Sequence, residues 1–402
     1  MCLSDIRVLK FGGSSLASPE LIHKVAQIIA DHYHACKKVV VVVSAMGKST
    51  DELIQLAKKV SPNAPLKHSR EVDMLVSVGE RISMSLVSMA IRDLGIEAVS
   101  LTGSQSGIIT TESHGEAEIL EIKGERILKN LEEKKVVIVA GFQGVSREKE
   151  ITTLGRGGSD TTALALAHFL QSSSAYIYSD VDAYYSADPK VVKNALRYEK
   201  IPWEIGFLSS YFGAKVLHSR AAKIAAKQHL QVQMLSTFNP QRSPGLLEGD
   251  IDAKNQLFQV FTLNLKKDLK KLTTDKCALP CKDIPLEIED CFMPSYFENR
   301  IEFPAGALKT FFYSYEKNLN PQEGLEKKLL NEAGYQSFTL VGTGLLQKKT
   351  LLQEAEKILM SFGVEIEGYD WTNLYLVLIT KKLDADQKIL QSLHEHFLEN
   401  TN

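Results

Sequence analysis

Two glycine-rich phrases in the chain hold the groups that phosphate chemistry requires. The first is Lys10-Phe11-Gly12-Gly13-Ser14-Ser15, which follows the apolar run Ile6 to Leu9 and precedes a helical pattern. Paired glycines let backbone N–H groups approach a phosphate closely, a helix N-terminus favours an anion, and Lys10 adds positive charge there. A plain strand-to-helix turn with a solvated lysine would read the same way. The second is Gly155-Arg156-Gly157-Gly158-Ser159-Asp160, which leads into the Ala/Leu-rich stretch Thr161 to Leu170. Arg156 offers a planar fork suited to a carboxylate. Asp160 could hold a cation or orient a lysine. A capped helix with a glycine turn is the alternative, but two such loops in one chain tip the balance towards a site.

Three further phrases are ambiguous by themselves. Ser179-Asp180-Val181-Asp182-Ala183-Tyr184-Tyr185 follows the apolar run Tyr176 to Tyr178. Loops after parallel strands are where open α/β sheets bind ligands, so Tyr185 could pack on a nucleotide base and Asp180 could hydrogen-bond to it. An acidic surface turn fits equally well. Glu80, in Val78-Gly79-Glu80-Arg81, reads as a favourable first-turn helix charge. Lys215, in Gly213-Ala214-Lys215-Val216-Leu217-His218, reads by default as a surface lysine, and His218 as structural. Gly47-Lys48-Ser49-Thr50 imitates the end of a P-loop, but Val42 stands where that motif needs its first glycine.

The elements that must position these groups alternate over the first 235 or so residues. Strands are expected at Ile6–Leu9, Val39–Val43, Ala98–Leu101, Val136–Val139, Tyr176–Tyr178 and Val232–Leu235, with helices between them. The β-branched run Val39–Val43 suits a strand covered on both faces. Ser18-Pro19 opens a helix whose apolar stripe is Leu21, Ile22, Val25, Ile28 and Ile29. The alternation implies a largely parallel sheet between helices. Asn239 to Gly245, with two prolines, is the best linker candidate. Beyond it, Leu257–Leu265 reads as a strand, whereas residues 266–320 show no clear period. Ser337–Val341, Val364–Ile366 and Leu374–Ile379 read as strands, and Thr350–Phe362 and Ala385–Phe397 as helices.

The bulk properties narrow the class. A chain of 402 residues suggests two or three domains, and a net charge of -2 gives no electrostatic reason to expect nucleic acid. No apolar run approaches the length of a membrane span, and the N-terminus does not read as a secretory signal. Five scattered cysteines, Cys2, Cys36, Cys277, Cys281 and Cys291, fit a reducing cytoplasm better than a disulfide framework. Cys277 and Cys281 are close, but no nearby His or second close pair completes a zinc set, so no metal site is assigned.

Together the phrases resemble the aspartokinase branch of the amino acid kinase superfamily. K-F-G-G-S-S, V-V-S-A-M, G-E-R, G-R-G-G-S-D-T-T, S-D-V-D-x-x-Y-x-x-D-P and G-A-K-V-L-H occur in that family's order through residues 5–247. The resemblance implies a three-layer α/β catalytic domain over 1–247, a divergent ACT-like region over 248–334 and an ACT-like domain over 335–402. It implies transfer of a phosphoryl group from ATP, with Mg²⁺, to the side-chain carboxylate of L-aspartate. That reaction opens the route to lysine, threonine, methionine and diaminopimelate. Lys10, Asp160 and Lys215 would be catalytic, with Gly12 and Gly13 donating backbone N–H groups to the phosphoryl group. Ser44, Glu80, Arg156, Gly157, Gly158 and Ser159 would form the aspartate pocket with Asp160. Arg156 would take the α-carboxylate and Glu80 the α-ammonium. Lys10, Phe11, Gly12, Gly13, Ser179, Asp180, Tyr185, Lys190, Lys215 and Val216 would hold the nucleotide.

The resemblance also implies a homodimer or higher homo-oligomer through the C-terminal region, a possible amino-acid effector, and no membrane partner. Ala183, Lys190 and Ser219 depart from the family's usual Gly, Arg and Pro. Lys for Arg at 190 exchanges a fork for a point charge. The stretch 257–330 lacks the glycine-containing loop an effector module usually offers after its first strand, which predicts weak or unusual feedback. A relative with another small acidic substrate, and a non-catalytic protein on the same scaffold, are the competing readings. Intact Lys10, Arg156, Asp160 and Lys215 oppose the latter.

Overall fold

The computed structural model describes residues 6–251, 258–274, 309–314 and 329–399. The chain divides into two units. The first takes the chain to Tyr184, then Arg197–Tyr211 and Lys215–Ile251; the second takes Tyr185–Leu196, Phe212–Ala214 and the chain from Asp252 onward.

An eight-stranded sheet organises the first unit. Its order in space is Lys200–Ile201, Gly245–Leu247, Gln231–Ser236, Ser174–Ser179, Arg7–Phe11, Val39–Val43, Val136–Ala140 and Ala98–Leu101. Every neighbouring pair is parallel except Gln231–Ser236 with Gly245–Leu247. This is the mainly parallel α/β architecture that the alternation of elements implies. Val39–Val43 is wholly buried because Arg7–Phe11 and Val136–Ala140 flank it and helices cover both faces.

Helix Pro19–Cys36 starts where its sequence indicates. The Ser18 Oγ accepts from the Leu21 N–H at 3.4 Å, and Pro19 takes the first helical position, where its missing N–H does no harm. Ile22, Val25 and Ile29 then enter a core with Phe11, Val41, Val87, Ile91 and Ile138.

A second, four-stranded sheet was not legible in the sequence. Its order is Ile119–Ile122, Ile108–Thr110, Gln143–Ser146, Ile151–Thr153. Strands of three or four residues are too short to establish a period of two. Helices Ser69–Val76 and Val78–Asp93 run on through Ser77, whose backbone is itself helical (φ -60, ψ -16). This 25-residue helix is long and apolar enough to cross a membrane by length and composition. Glu80, Arg81 and several serines interrupt it, so the sequence shows no unbroken apolar run. One side of it, with Met84, Val87 and Ile91, packs into the core of the sheet.

The segment Asn239–Gly245 does not part the two units. It stays in the first, and Arg242 within it pairs with the buried Asp182 at 3.0 Å. The first unit runs on to Ile251.

In the second unit five antiparallel strands lie in the order Lys309–Ser314, Gln259–Thr274, Leu329–Thr343, Tyr375–Lys381, Gly368–Trp371. Strands from both expected C-terminal modules thus pair within one sheet. Leu351, Leu359, Ile389 and Leu393, from helices Leu351–Ser361 and Asp386–His394, pack on Phe338, Leu340, Leu376 and Leu378. Ala187 and Val192 join this core from the segment Tyr185–Leu196. Val364–Ile366, expected as a strand, is irregular, and the strand lies at Gly368–Trp371. Apolar residues near Gly363 (φ 71) imitate a strand start, but they close the helix end: Val364 N–H bonds back to Leu359 O at 3.1 Å. Cys277 and Cys281, and most of the stretches 266–320 and 257–330, lie outside the described residues.

Candidate active site

Lys10 sits in the strand Arg7–Phe11, between Val42 and Ile177 of its two parallel neighbours. The loops leaving the carboxyl ends of these strands therefore gather around it, as open α/β sheets require of a ligand site. The Ser44 N–H donates to Phe11 O at 3.1 Å, and the Gly47 N–H to Gly13 O at 3.0 Å. Gly13 permits this approach: a Cβ there would lie 2.9 Å from the carbonyl oxygens of Ala45 and Gly47.

Two details differ from the expected phosphate cradle. The Gly12 N–H donates to Tyr178 O at 3.0 Å, so it is committed to the end of the neighbouring strand instead of pointing at a ligand. A short 3₁₀ turn, Gly13–Leu16, also separates the glycines from the start of helix Pro19–Cys36, so the loop does not feed directly into that N-terminus.

Opposite this loop stands the second glycine phrase. Helix Gly158–Phe169 begins within it, with Asp160 in the first turn, where the helix dipole favours a carboxylate. Lys10 Nζ lies 2.6 Å from Asp160 Oδ1. Its angle does not make an aligned hydrogen bond, so the contact is a close charge pair. Lys10 is only 8% exposed. Asp160 Oδ2 accepts from the His218 N–H at 3.4 Å, which ties the second phrase to the loop carrying Lys215.

Gly157 (φ 70) makes that join possible, since a Cβ there would fall 2.0 Å from the His218 ring. His218 in turn precedes helix Ser219–Gln228 and accepts from the Arg220 N–H through Nδ1. Ser219 occupies that helix's first position, where proline is also suited, so this departure from the family pattern leaves the element unchanged.

Glu80 closes another side. It lies in the first turn of helix Val78–Asp93, is 3% exposed, and accepts from the Ala45 N–H through Oε1 at 3.1 Å. Its Oε2 is buried without a hydrogen-bond partner. Burial pushes this carboxyl up from 4.5 to about 8, only partly opposed by backbone hydrogen bonds. Gly79 allows the helix to press against this loop, with the site of its missing Cβ 2.8 Å from the Ala45 methyl.

The remaining expected residues divide clearly. Ser159 is buried and packs at the site of Gly141's missing Cβ, beside the strand end Val43. Gly158 is buried at the helix start. Ser44 and Val216 are half-buried, while Arg156, Asp180 and Lys215 are exposed. The Ser179 hydroxyl is turned back on its own loop, donating to Val181 O and accepting from the Val181 N–H. Tyr185 and Lys190 belong to the second unit, Tyr185 half-buried and Lys190 exposed. In the decoy phrase Lys48 is exposed, and Val42 lies fully buried in a strand where a glycine loop would have to begin.

Two supporting residues were not among those the sequence singled out. Asp73 is buried and accepts from the Thr153 N–H and hydroxyl, from the Gly115 N–H, and from His114 Nδ1 at 2.8 Å. It fixes the strand that delivers Gly155. Phe142, after the strand Val136–Ala140, adopts the left-handed backbone (φ 67), and its N–H donates to the Thr162 hydroxyl. The phrase Gly141-Phe142-Gln143-Gly144 was the available hint of a constrained turn.

Comparisons with known proteins identify the family. The family model for the amino acid kinase family matches residues 5–236. An aspartokinase of Geobacillus stearothermophilus is 35% identical over 98% of this chain and 97% of its own. One of Corynebacterium efficiens is 48% identical over 97% of this chain and 95% of its own. The crystal structure of Escherichia coli aspartokinase III with aspartate and ADP in the R-state has the same fold, with a TM-score of 0.80. It is 22% identical and covers 97% of this chain and 99% of that one. The chain belongs to the amino acid kinase family and, within it, to the aspartokinases.

Proposed function

We propose that this chain transfers the γ-phosphoryl group of ATP to the side-chain carboxylate of L-aspartate, giving 4-phospho-L-aspartate and ADP. The observation that carries the reading is the pair of buried Lys10 and half-buried Asp160 between two glycine loops, together with a buried carboxyl, Glu80, that has one unpartnered oxygen. Glu80 Oε2 would receive the α-ammonium of the substrate. A cation there supplies the missing partner and draws the carboxyl back to its ionised form. The exposed fork of Arg156 would take the α-carboxylate, with Ser44, Gly157, Gly158 and Ser159 shaping the pocket.

The reaction needs no strong base, because a carboxylate is already a nucleophile. Its oxygen attacks the γ-phosphorus, the bond from that phosphorus to the β–γ bridging oxygen breaks, and ADP leaves with the electron pair. Catalysis is then alignment and charge neutralisation. Lys10 and Lys215 would neutralise the phosphoryl oxygens, and Asp160 would aim Lys10. Phe11, Gly12 and Gly13 would wall the phosphate end, with Ser179, Asp180 and Val216 at the nucleoside end.

Among the described residues no three His, Cys, Asp or Glu side chains cluster as a metal cage. The donor set therefore fits Mg²⁺ carried by phosphate oxygens and water, supplying charge neutralisation. On this reading residues 1–247 are catalytic. Residues 248–334 and 335–402 form an ACT-like regulatory pair that would bind an amino-acid effector and join subunits, in the cytoplasm. ADP release measured side by side with L-aspartate, L-glutamate, N-acetylglutamate, carbamate and uridylate tests the assignment. Turnover with L-aspartate alone is expected, and a preference for any other acceptor refutes it.

A further inference from the structure

Between helix Pro19–Cys36, the strands Ser174–Ser179 and Gln231–Ser236, and the turn that follows the second of them, the first unit holds an open cavity of about 180 Å³. Ile28, Leu235 and Pro240 give it apolar wall, and Asp31, Tyr178, Ser236 and Arg242 give it polar groups. It is not part of the pocket around Lys10. Neighbours in a strand point to opposite faces of the sheet. Lys10 meets helix Gly158–Phe169, whereas Phe11 stacks on the Tyr178 ring at 4.8 Å, on the face covered by helix Pro19–Cys36.

Two hydroxyl hydrogens on this wall have no acceptor among the described residues. His32 Nδ1 lies 3.1 Å from Arg7 Nη1, and a guanidinium can only donate, so Nδ1 accepts. Burial and the Arg7 charge push the imidazole down to about 4, so the ring is neutral and its one proton sits on Nε2. That N–H donates to Tyr178 Oη at 2.9 Å. The buried Tyr178 hydroxyl thus accepts from His32, and its own hydrogen is left over. Ser236 Oγ likewise accepts from the Phe238 and Asn239 N–H groups, at 3.2 and 3.1 Å, and its hydrogen is also left over. Arg242 adds charge. It lies 3.0 Å from Asp182 and Arg197 lies 3.2 Å from the same carboxylate, so two positive charges meet one negative.

We propose that this cavity is a second ligand site, for a small aliphatic monocarboxylate. The carboxylate accepts from Tyr178, Ser236 and Arg242, and its chain lies on Ile28, Leu235 and Pro240. Asp31 on the wall repels a second negative charge, which disfavours dicarboxylates. A cavity of ~150 Å³ admits benzene, so this one admits a branched acid of about seven heavy atoms, the size of isovalerate.

Isothermal titration of the full chain with sodium isovalerate at constant ionic strength tests the assignment. One saturable site per chain is expected, and it should persist with ADP and L-aspartate present, because the Lys10 pocket is on the other face. Tyr178→Phe keeps the ring stack and removes a donor. Arg242→Gln removes a charge and leaves Asp182 paired with Arg197. Each should keep the wild-type circular dichroism spectrum and raise Kd by ~10-fold or more, as for loss of a hydrogen bond to a charged group. The neutral isovaleramide should bind the wild type as weakly. Glutarate should bind Asp31→Asn more tightly than the wild type. No saturable heat, displacement by ADP or L-aspartate, or an unchanged Kd in both Tyr178→Phe and Arg242→Gln overturns the site. Glutarate binding the wild type as tightly as isovalerate overturns the ligand class.

Discussion

Replacing Glu80 with Gln reads the pocket's buried carboxyl directly. Burial holds it near 8 against 4.5 for a free glutamate. A folded pKa raised in this way means that the folded state keeps a proton the unfolded chain has already released. Between pH 4.5 and about 8 the unfolded state binds fewer protons, so stability falls as pH rises through that window. Below it both states are protonated and the carboxyl carries no penalty; above it both are ionised and the penalty is complete.

At about 1.36 kcal/mol per pKa unit, the full displacement amounts to on the order of 4–5 kcal/mol. Gln keeps the shape and the acceptor for the Ala45 N–H and cannot ionise. The variant and the wild type should therefore melt together at about pH 5, and the variant should melt higher at about pH 8.5. At ~2–4 °C per kcal/mol for a unit of this size, the gap should reach at least about 5 °C. Saturating aspartate should narrow it, because the α-ammonium stabilises the ionised carboxylate. Thermal unfolding followed by circular dichroism across pH decides. Parallel melting curves for the two proteins would refute the assignment of a proton to Glu80.

Other outcomes follow from the same site. Lys10→Ala should lower kcat by ~10²–10³ or more, as for loss of a charge aimed at a transition state. Because Lys10 is buried against Asp160, it should also destabilise the fold, and Asp160→Asn in the same chain should restore part of that loss in denaturant titrations. Arg156→Ala should raise the KM for aspartate far more than that for ATP while leaving the melting temperature unchanged, since Arg156 is exposed; equal effects on both KM values would remove it from the aspartate pocket. Gly157→Ala should cost ~2 kcal/mol or more through its left-handed backbone and the His218 ring, and near wild-type stability would contradict the close approach. Lysine and threonine, titrated singly and together into the aspartate assay, should inhibit weakly; strong inhibition below millimolar lysine would show that 257–330 holds an ordinary effector loop.

The parts of this site legible in the sequence were those whose residue type is itself the signal. Runs such as Val39–Val43 can only be buried strands in an α/β pattern, and glycine phrases mark where backbones must come close. The Ser18-Pro19 helix start was readable for the same reason, since capping is local chemistry. Partnerships across long separations were not readable. Nothing near Lys10 announces that it will be buried against Asp160. The Gly12 N–H was assigned to a phosphate from its motif, but a neighbouring strand end claims it, which depends on sheet order. Asp73 looked like any helix acid until Thr153, Gly115 and His114 converged on it. The short strands of the second sheet escaped because pairing, not pattern, makes them strands.

The segment Tyr185–Leu196 lies in sequence between two stretches of the first unit, yet it belongs to the second, where Ala187 and Val192 rest among Leu263, Phe338 and Leu340. The polypeptide thus leaves the first unit and returns to it before the C-terminal strands have been made. On a ribosome, that excursion emerges some seventy residues before Leu263 and about a hundred and fifty before Phe338, so its apolar side chains must wait uncovered. A fragment ending at Ile251 would leave them waiting permanently. Burial of Ala187 and Val192 therefore waits on the C-terminal strands, and a frameshift or protease cut in the last third would leave this segment uncovered without touching a residue of it.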